Sequence, residues 1–142
     1  MTSLANPAAA VLEAYRAAVY AKDADAYAAL YDHDVHVFDI WGRWSHVGID
    51  AWKAMAVDWF SSLGSDRDVV TVEDLQTHQS GDLATAHAYL RFAAVSAEGK
   101  ELRAMFNRVT LILQKRGGAW KIVHQHTSSP IDFATMKVML DR

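Results

Sequence analysis

Residues 69–129 alternate apolar and polar side chains in four successive stretches, "VVTVEDLQTHQSG", "LATAHAYLRFAAVSAEG", "ELRAMFNRVTLILQKRGG" and "AWKIVHQHTSS", separated by turns that contain glycine. A period of two sends neighbouring side chains to opposite faces of a strand, so each stretch carries one apolar face that has to be covered. Short turns join such strands as antiparallel neighbours. This half of the chain therefore predicts a long-stranded antiparallel sheet, and its cover must come from elsewhere in the sequence.

The first half supplies it. Asn6-Pro7 reads as a helix start, because Asn caps the first turn and Pro suits the first helical position. Val11, Tyr15, Ala18 and Val19 then recur at helical spacing, which places Tyr15 on the buried stripe. Asp23 or Asp25 caps a short second helix in which Tyr27, Leu30 and Tyr31 share a face. "DVHVFDIW" follows as a strand with Val35, Val37 and Asp39 on one side and His36, Phe38 and Ile40 on the other. Gly42 and Gly48 bracket a hairpin-like segment holding Trp44. Trp52, Met55, Ala56, Trp59, Phe60 and Leu63 form the apolar face of a further helix, which Gly64 ends. Helix, helix, strand, helix and then long strands make an α+β domain with helices packed on one sheet face. With no repeat or linker in sight, we expect a single domain over residues 1–142, its core at about 7–130 and a C-terminal tail at 131–142.

A hydrophobic share of 51% is enough to fill a core, and a formal charge of −3 offers nucleic acid no basic face. The absence of cysteine excludes disulfides, thiolate chemistry, zinc–thiolate sites and iron–sulfur clusters. The opening "MTSLANPAAAVLEAYRAAVYAKD" lacks the basic residues of a leader, and Glu13 and Arg16 interrupt its apolar run. No apolar run approaches the ~20 residues that span a bilayer. The expectation is a soluble, cytoplasmic protein with no membrane or nucleic-acid partner.

One stretch poses a chemical question. "HVFDIWGRW" sets Asp39 among Val37, Phe38, Ile40, Trp41 and Trp44, and an ionised carboxylate is costly to bury without a partner. Asp39 is either a strand-end residue that meets water or a general base whose apolar walls raise its proton affinity. Tyr15 is either a core aromatic or a phenol that donates to a developing oxyanion. His124 and His126, two apart, are expected on the same strand face as Trp120 and Ile122, as structural, ligand-contacting or catalytic histidines. No third ligand is fixed beside them, so no metal is expected. Arg91 either holds a substrate carboxylate or forms a salt bridge. Trp41, Trp44, Met55 and Trp59 are core or cavity wall.

The first-half pattern "VLEAYRAAVYAKDADAYAALYDHDVHVFDIWG" resembles the ketosteroid isomerase and polyketide-cyclase-like, or SnoaL-like, branch of the nuclear transport factor two superfamily. "AYLRF", "EGKELR" and "WKIVHQHTSSP" resemble the association domain of calmodulin-dependent kinases and its bacterial SnoaL-like relatives. The resemblance implies helices held in the concave face of a strongly bent sheet, around a cone-shaped cavity, and a homodimer formed through the outer sheet face. It implies Asp39 as proton-shuttling base and Tyr15 as oxyanion donor. The isomerases' second acid has no carboxylate counterpart here; Asn107 or Val109 falls near its place. From the kinase domain it carries over Arg91 as an anion-binding residue, whereas another pocket arginine becomes Leu111.

Together these readings lead to cofactor-free acid–base chemistry on a small apolar carbonyl compound. Asp39 abstracts the proton, while Tyr15, with Asn107 or a histidine, steadies the enolate. Two alternatives stand beside it. One is a dehydratase or cyclase with His126 as base; the other is a non-catalytic module in which Arg91 and the histidines grip a carboxylate.

Overall fold

The computed structural model describes residues 6–142; the first five residues of the leader-like opening lie outside them. Helix α1 (Pro7–Ala21) starts where Asn6 Oδ1 accepts the amides of Ala8 and Ala9, and ends at Lys22, whose left-handed φ of 55° lets its amide cap Ala18 and Val19. Helix α2 (Ala24–Ala28) is capped by Asp23. Tyr31 opens strand β1 (Tyr31–Phe38) rather than extending the second helix. Strand β2 (His46–Val47) leads through Gly48 into helix α3 (Ile49–Ser62). Four long strands follow, β3 (Arg67–Ser80), β4 (Leu83–Val95), β5 (Glu101–Arg116) and β6 (Ala119–Ser128), then a small hairpin of β7 (Ile131–Asp132) and β8 (Lys137–Val138).

The main sheet runs in the order β2-β1-β6-β5-β4-β3. Strands β3 to β6 form an antiparallel meander, and β1 joins β6 in parallel. Register shifts interrupt β3/β4 between Glu73 and Gln76, β4/β5 at Ala94–Val95, and β5/β6 between Ile112 and Leu113. Each such bulge sharpens twist and bends its strand, so strands this long curl around the helices instead of lying flat. Alternate residues of β4 (Ala84, Ala86, Ala88, Leu90) and β5 (Val109, Leu111, Leu113) meet Val11, Tyr15 and Val19 of α1 and Trp52, Ala56 and Phe60 of α3 in one core. The fold is α+β, as the sequence pattern predicts.

The bulge in β5/β6 corrects one expectation. Ile122 pairs with Leu113 and His124 with Ile112, so Val123 is an extra residue and the alternation reverses there. Ile122, Gln125 and Thr127 are buried, while His124 and His126 turn to the outer face. There they stand beside His36 and Phe38, with Phe38 at ring distances of 5.0 and 5.4 Å from the two histidines. Among the described residues no helix is long and apolar enough to cross a membrane.

Candidate active site

Between the helices and the concave sheet face lies a cavity of about 740 Å³. Its depth is set by aromatic side chains from the first half of the chain. Tyr15 of α1 and Tyr27 of α2 stack with ring centroids 5.3 Å apart, and Tyr27 lies equally close to Tyr31. The Tyr31 hydroxyl donates to Gln125 Oε1 at 2.7 Å and lies 3.3 Å from the Tyr27 hydroxyl. Burial is the first cause that pushes all three phenols up in pKa. For Tyr15 the neighbouring Tyr31 and the charges of Asp39 and Asp68 add to it, against a hydrogen bond with Tyr27. A phenol so placed keeps its proton and stays a hydrogen-bond donor.

Asp39 continues the inward alternation of Val35 and Val37 just past the end of β1 and reaches the cavity wall. Thr127 Oγ1 donates to its Oδ1 at 2.7 Å, and the amide of Ile40 lies 3.2 Å from the same threonine oxygen. Thr127 faces inward because the Val123 bulge turned it there. Asn107 of β5 also lines the cavity, 6% exposed, and its Oδ1 is buried with no hydrogen-bond partner among the described residues. Among the described residues, Trp52 Nε1 is the other buried side-chain polar atom in that condition. Met55, Trp59, Phe92 and Met105 supply apolar wall, and the exposed Trp41, Arg43 and Arg103 stand at the rim.

Tyr15, Asp39, Trp41, Met55, Trp59 and Asn107, all singled out in the sequence, thus line one space. Four others do not. Trp44 is 97% exposed, since the segment after Gly42 is irregular and carries its indole outward. Arg91 belongs to the outer face of β4 and holds Glu101 through two hydrogen bonds of 3.1 and 2.9 Å. His124 caps the His36 carbonyl at 2.7 Å through Nδ1. His126 lines a separate outer hollow with Phe38 and Trp44, which shares only Asp39, Gly42 and Arg43 with the main cavity.

Sequence reading missed several lining residues. Asp68, 8% exposed at the start of β3, accepts from Trp59 Nε1 at 2.9 Å. In the sequence it is one of several acids in a polar turn, and only the i−9 indole reveals its inward aim. Gln125 and Thr127 were hidden by the bulge. Leu140 of the tail reaches the cavity after its carbonyl accepts the Phe106 amide at 2.7 Å. Among the described residues, no three or more His, Asp or Glu side chains are grouped to hold a metal ion.

The model of the SnoaL-like domain matches residues 8–132. This chain belongs to the SnoaL-like domain family. No curated protein matches this SnoaL-like domain. Among solved structures it is similar to an NTF2-like protein of unknown function from Pseudomonas putida KT2440, with 28% identity over 93% of this chain and 90% of that one and a TM-score of 0.82. It also resembles a Xanthomonas campestris protein described as a calcium/calmodulin dependent protein kinase II association domain, at 18% identity, 85% and 84% coverage and a TM-score of 0.73. A protein with a cystatin-like fold from Caulobacter vibrioides matches at 18% identity, 86% coverage of each chain and a TM-score of 0.70. The SnoaL-like domain therefore carries the NTF2-like, cystatin-like fold.

Proposed function

We propose that this SnoaL-like domain catalyses cofactor-free proton transfer on a small, largely apolar carbonyl compound. The observation that carries the reading is the convergence of Asp39 and Tyr15 on one apolar-walled cavity. The Asp39 carboxylate, held by Thr127 through one oxygen, takes a proton from the carbon next to the substrate carbonyl. The electron pair left behind moves into the carbonyl, and the Tyr15 hydroxyl donates to the oxygen on which negative charge grows. Protonated Asp39 then returns the proton to another carbon of the delocalised enolate, so nothing is consumed. Apolar walls keep water from competing and strengthen the phenol–oxyanion hydrogen bond. A histidine base finds no support here, because His124 and His126 occupy the other side of the sheet.

The test is α-hydrogen exchange in deuterated water, followed by NMR over a panel of enolisable cyclic ketones. The wild type should accelerate exchange on at least one of them, and Asp39→Asn should lower that rate by about 100-fold or more while keeping the fold. Exchange that survives in D39N would refute the assignment of the base.

A further inference from the structure

The amide of Asn107 is a polar group placed in a costly position. It is more than nine-tenths buried, it lines the cavity, and its Oδ1 meets no donor among the described residues. Buried polar atoms in folded proteins are nearly always paired, so one that is not paired calls for a partner supplied from outside the chain. Leucine has nearly the same volume and would fit the surrounding Leu90 and Val109 without this cost.

Register fixes where that partner would sit. Val109 pairs with Thr127, and Asn107 lies two residues along the same inward face of β5. It is therefore the diagonal neighbour of Thr127, at about 7–8 Å between Cα atoms. Thr127 in turn holds Asp39. The unpaired amide thus stands one side-chain step from the carboxylate, within the span of a single small molecule.

We infer that the ligand of this cavity carries a hydroxyl group in addition to its carbonyl, and that this hydroxyl pairs with the Asn107 amide. A hydroxyl suits the position because it both donates and accepts, and so satisfies whichever end of the amide faces it. A methyl ether only accepts and is bulkier. The assignment of the carbonyl to Tyr15 and Asp39 rests on the proton-transfer reading; the hydroxyl subsite rests on Asn107 alone. The ligand class is a hydroxylated cyclic or aromatic ketone.

The experiment is calorimetric titration of the full chain with 1-tetralone, its 5-, 6- and 7-hydroxy isomers, and the three matching methoxy compounds. At least one hydroxytetralone should bind about 10-fold more tightly than its methoxy counterpart. In Asn107→Leu that ratio should fall to near one. Without ligand, N107L should unfold about 3 °C or more above the wild type, since an unpaired buried amide has gone. A purely structural asparagine would give the opposite shift. If 1-tetralone binds and no hydroxyl isomer gains, the subsite is refuted and the carbonyl reading stands. The subsite is likewise refuted if the gain persists in N107L, or if N107L is destabilised. If no tetralone binds at all, both ideas fall. The wild-type ratio needs no variant, so the test survives a poorly folding mutant.

Discussion

Alkaline pH should unfold this protein, and Tyr15, Tyr27 and Tyr31 set how steeply. They are 5%, 1% and 3% exposed, and burial raises the pKa of each above the ordinary phenol value. An unfolded phenol titrates near 10. Below about pH 9 both states hold all three protons, and the contribution of these residues to stability is fully present and constant. Above 10 the unfolded chain releases protons that the native state retains, so stability falls as pH rises. Each phenol contributes a slope of about 1.4 kcal/mol per pH unit, and three together contribute about 4 kcal/mol per unit. Against a typical total of about 5–15 kcal/mol, this slope exhausts the stability about 1 to 4 pH units above 10, and near pH 11 for a protein at the low end of that range.

Urea unfolding followed by circular dichroism, repeated from pH 8 to 11.5, measures the slope directly. Tyrosinate absorbance at 295 nm reports which phenols ionise. The absorbance of the three buried phenols should appear together with the loss of native dichroism, not before it. Tyr31→Phe should reduce the slope by about one third. The reasoning fails if all five tyrosines of the chain ionise near pH 10 while the dichroism stays native. The consequence for function is direct, because the force that produces this steep slope also keeps Tyr15 a donor at every neutral pH.

Two further outcomes separate neighbouring ideas. Tyr31→Phe leaves Gln125 Oε1 buried without its donor and should cost about 1–3 kcal/mol in urea unfolding at pH 7, and adding Gln125→Leu should recover much of that loss. His126→Ala should leave ketone exchange within about threefold of wild type, because the ring lies on the outer face; a loss as large as that of D39N would move the base to the histidine.

How much of this was legible in the sequence depended on whether a local rule survived the tertiary structure. The helix carrying Tyr15, the inward row Val35–Val37–Asp39 and the apolar face holding Met55 and Trp59 all follow an uninterrupted period, and the structure keeps it. Trp44 and Arg91 lie away from the cavity for two different reasons. An aromatic in an irregular loop has no period that fixes its direction, and Trp44 met solvent; the alternation of β4 does set Arg91 outward, opposite Leu90, where it meets Glu101. Asp68 was beyond reach, since its inward aim depends on the Trp59 indole nine residues earlier.

The most consequential departure is a single residue. Strict alternation along "WKIVHQHTSS" would turn His124 and His126 into the cavity with Ile122 and send Gln125 and Thr127 out. That arrangement would line the space with two imidazoles and leave Asp39 without its hydroxyl donor, which suits a histidine base. The extra residue Val123 reverses the faces, and the cavity receives an amide and a hydroxyl instead. The amide then anchors Tyr31, and the hydroxyl anchors Asp39. The same bulge also adds to the bend that opens the cavity. One inserted residue thus bears on both the shape of the hollow and which polar side chains of β6 face it. Deleting Val123 to restore alternation would trade both at once, which is why the choice between carboxylate and imidazole cannot be read from the spacing of the histidines.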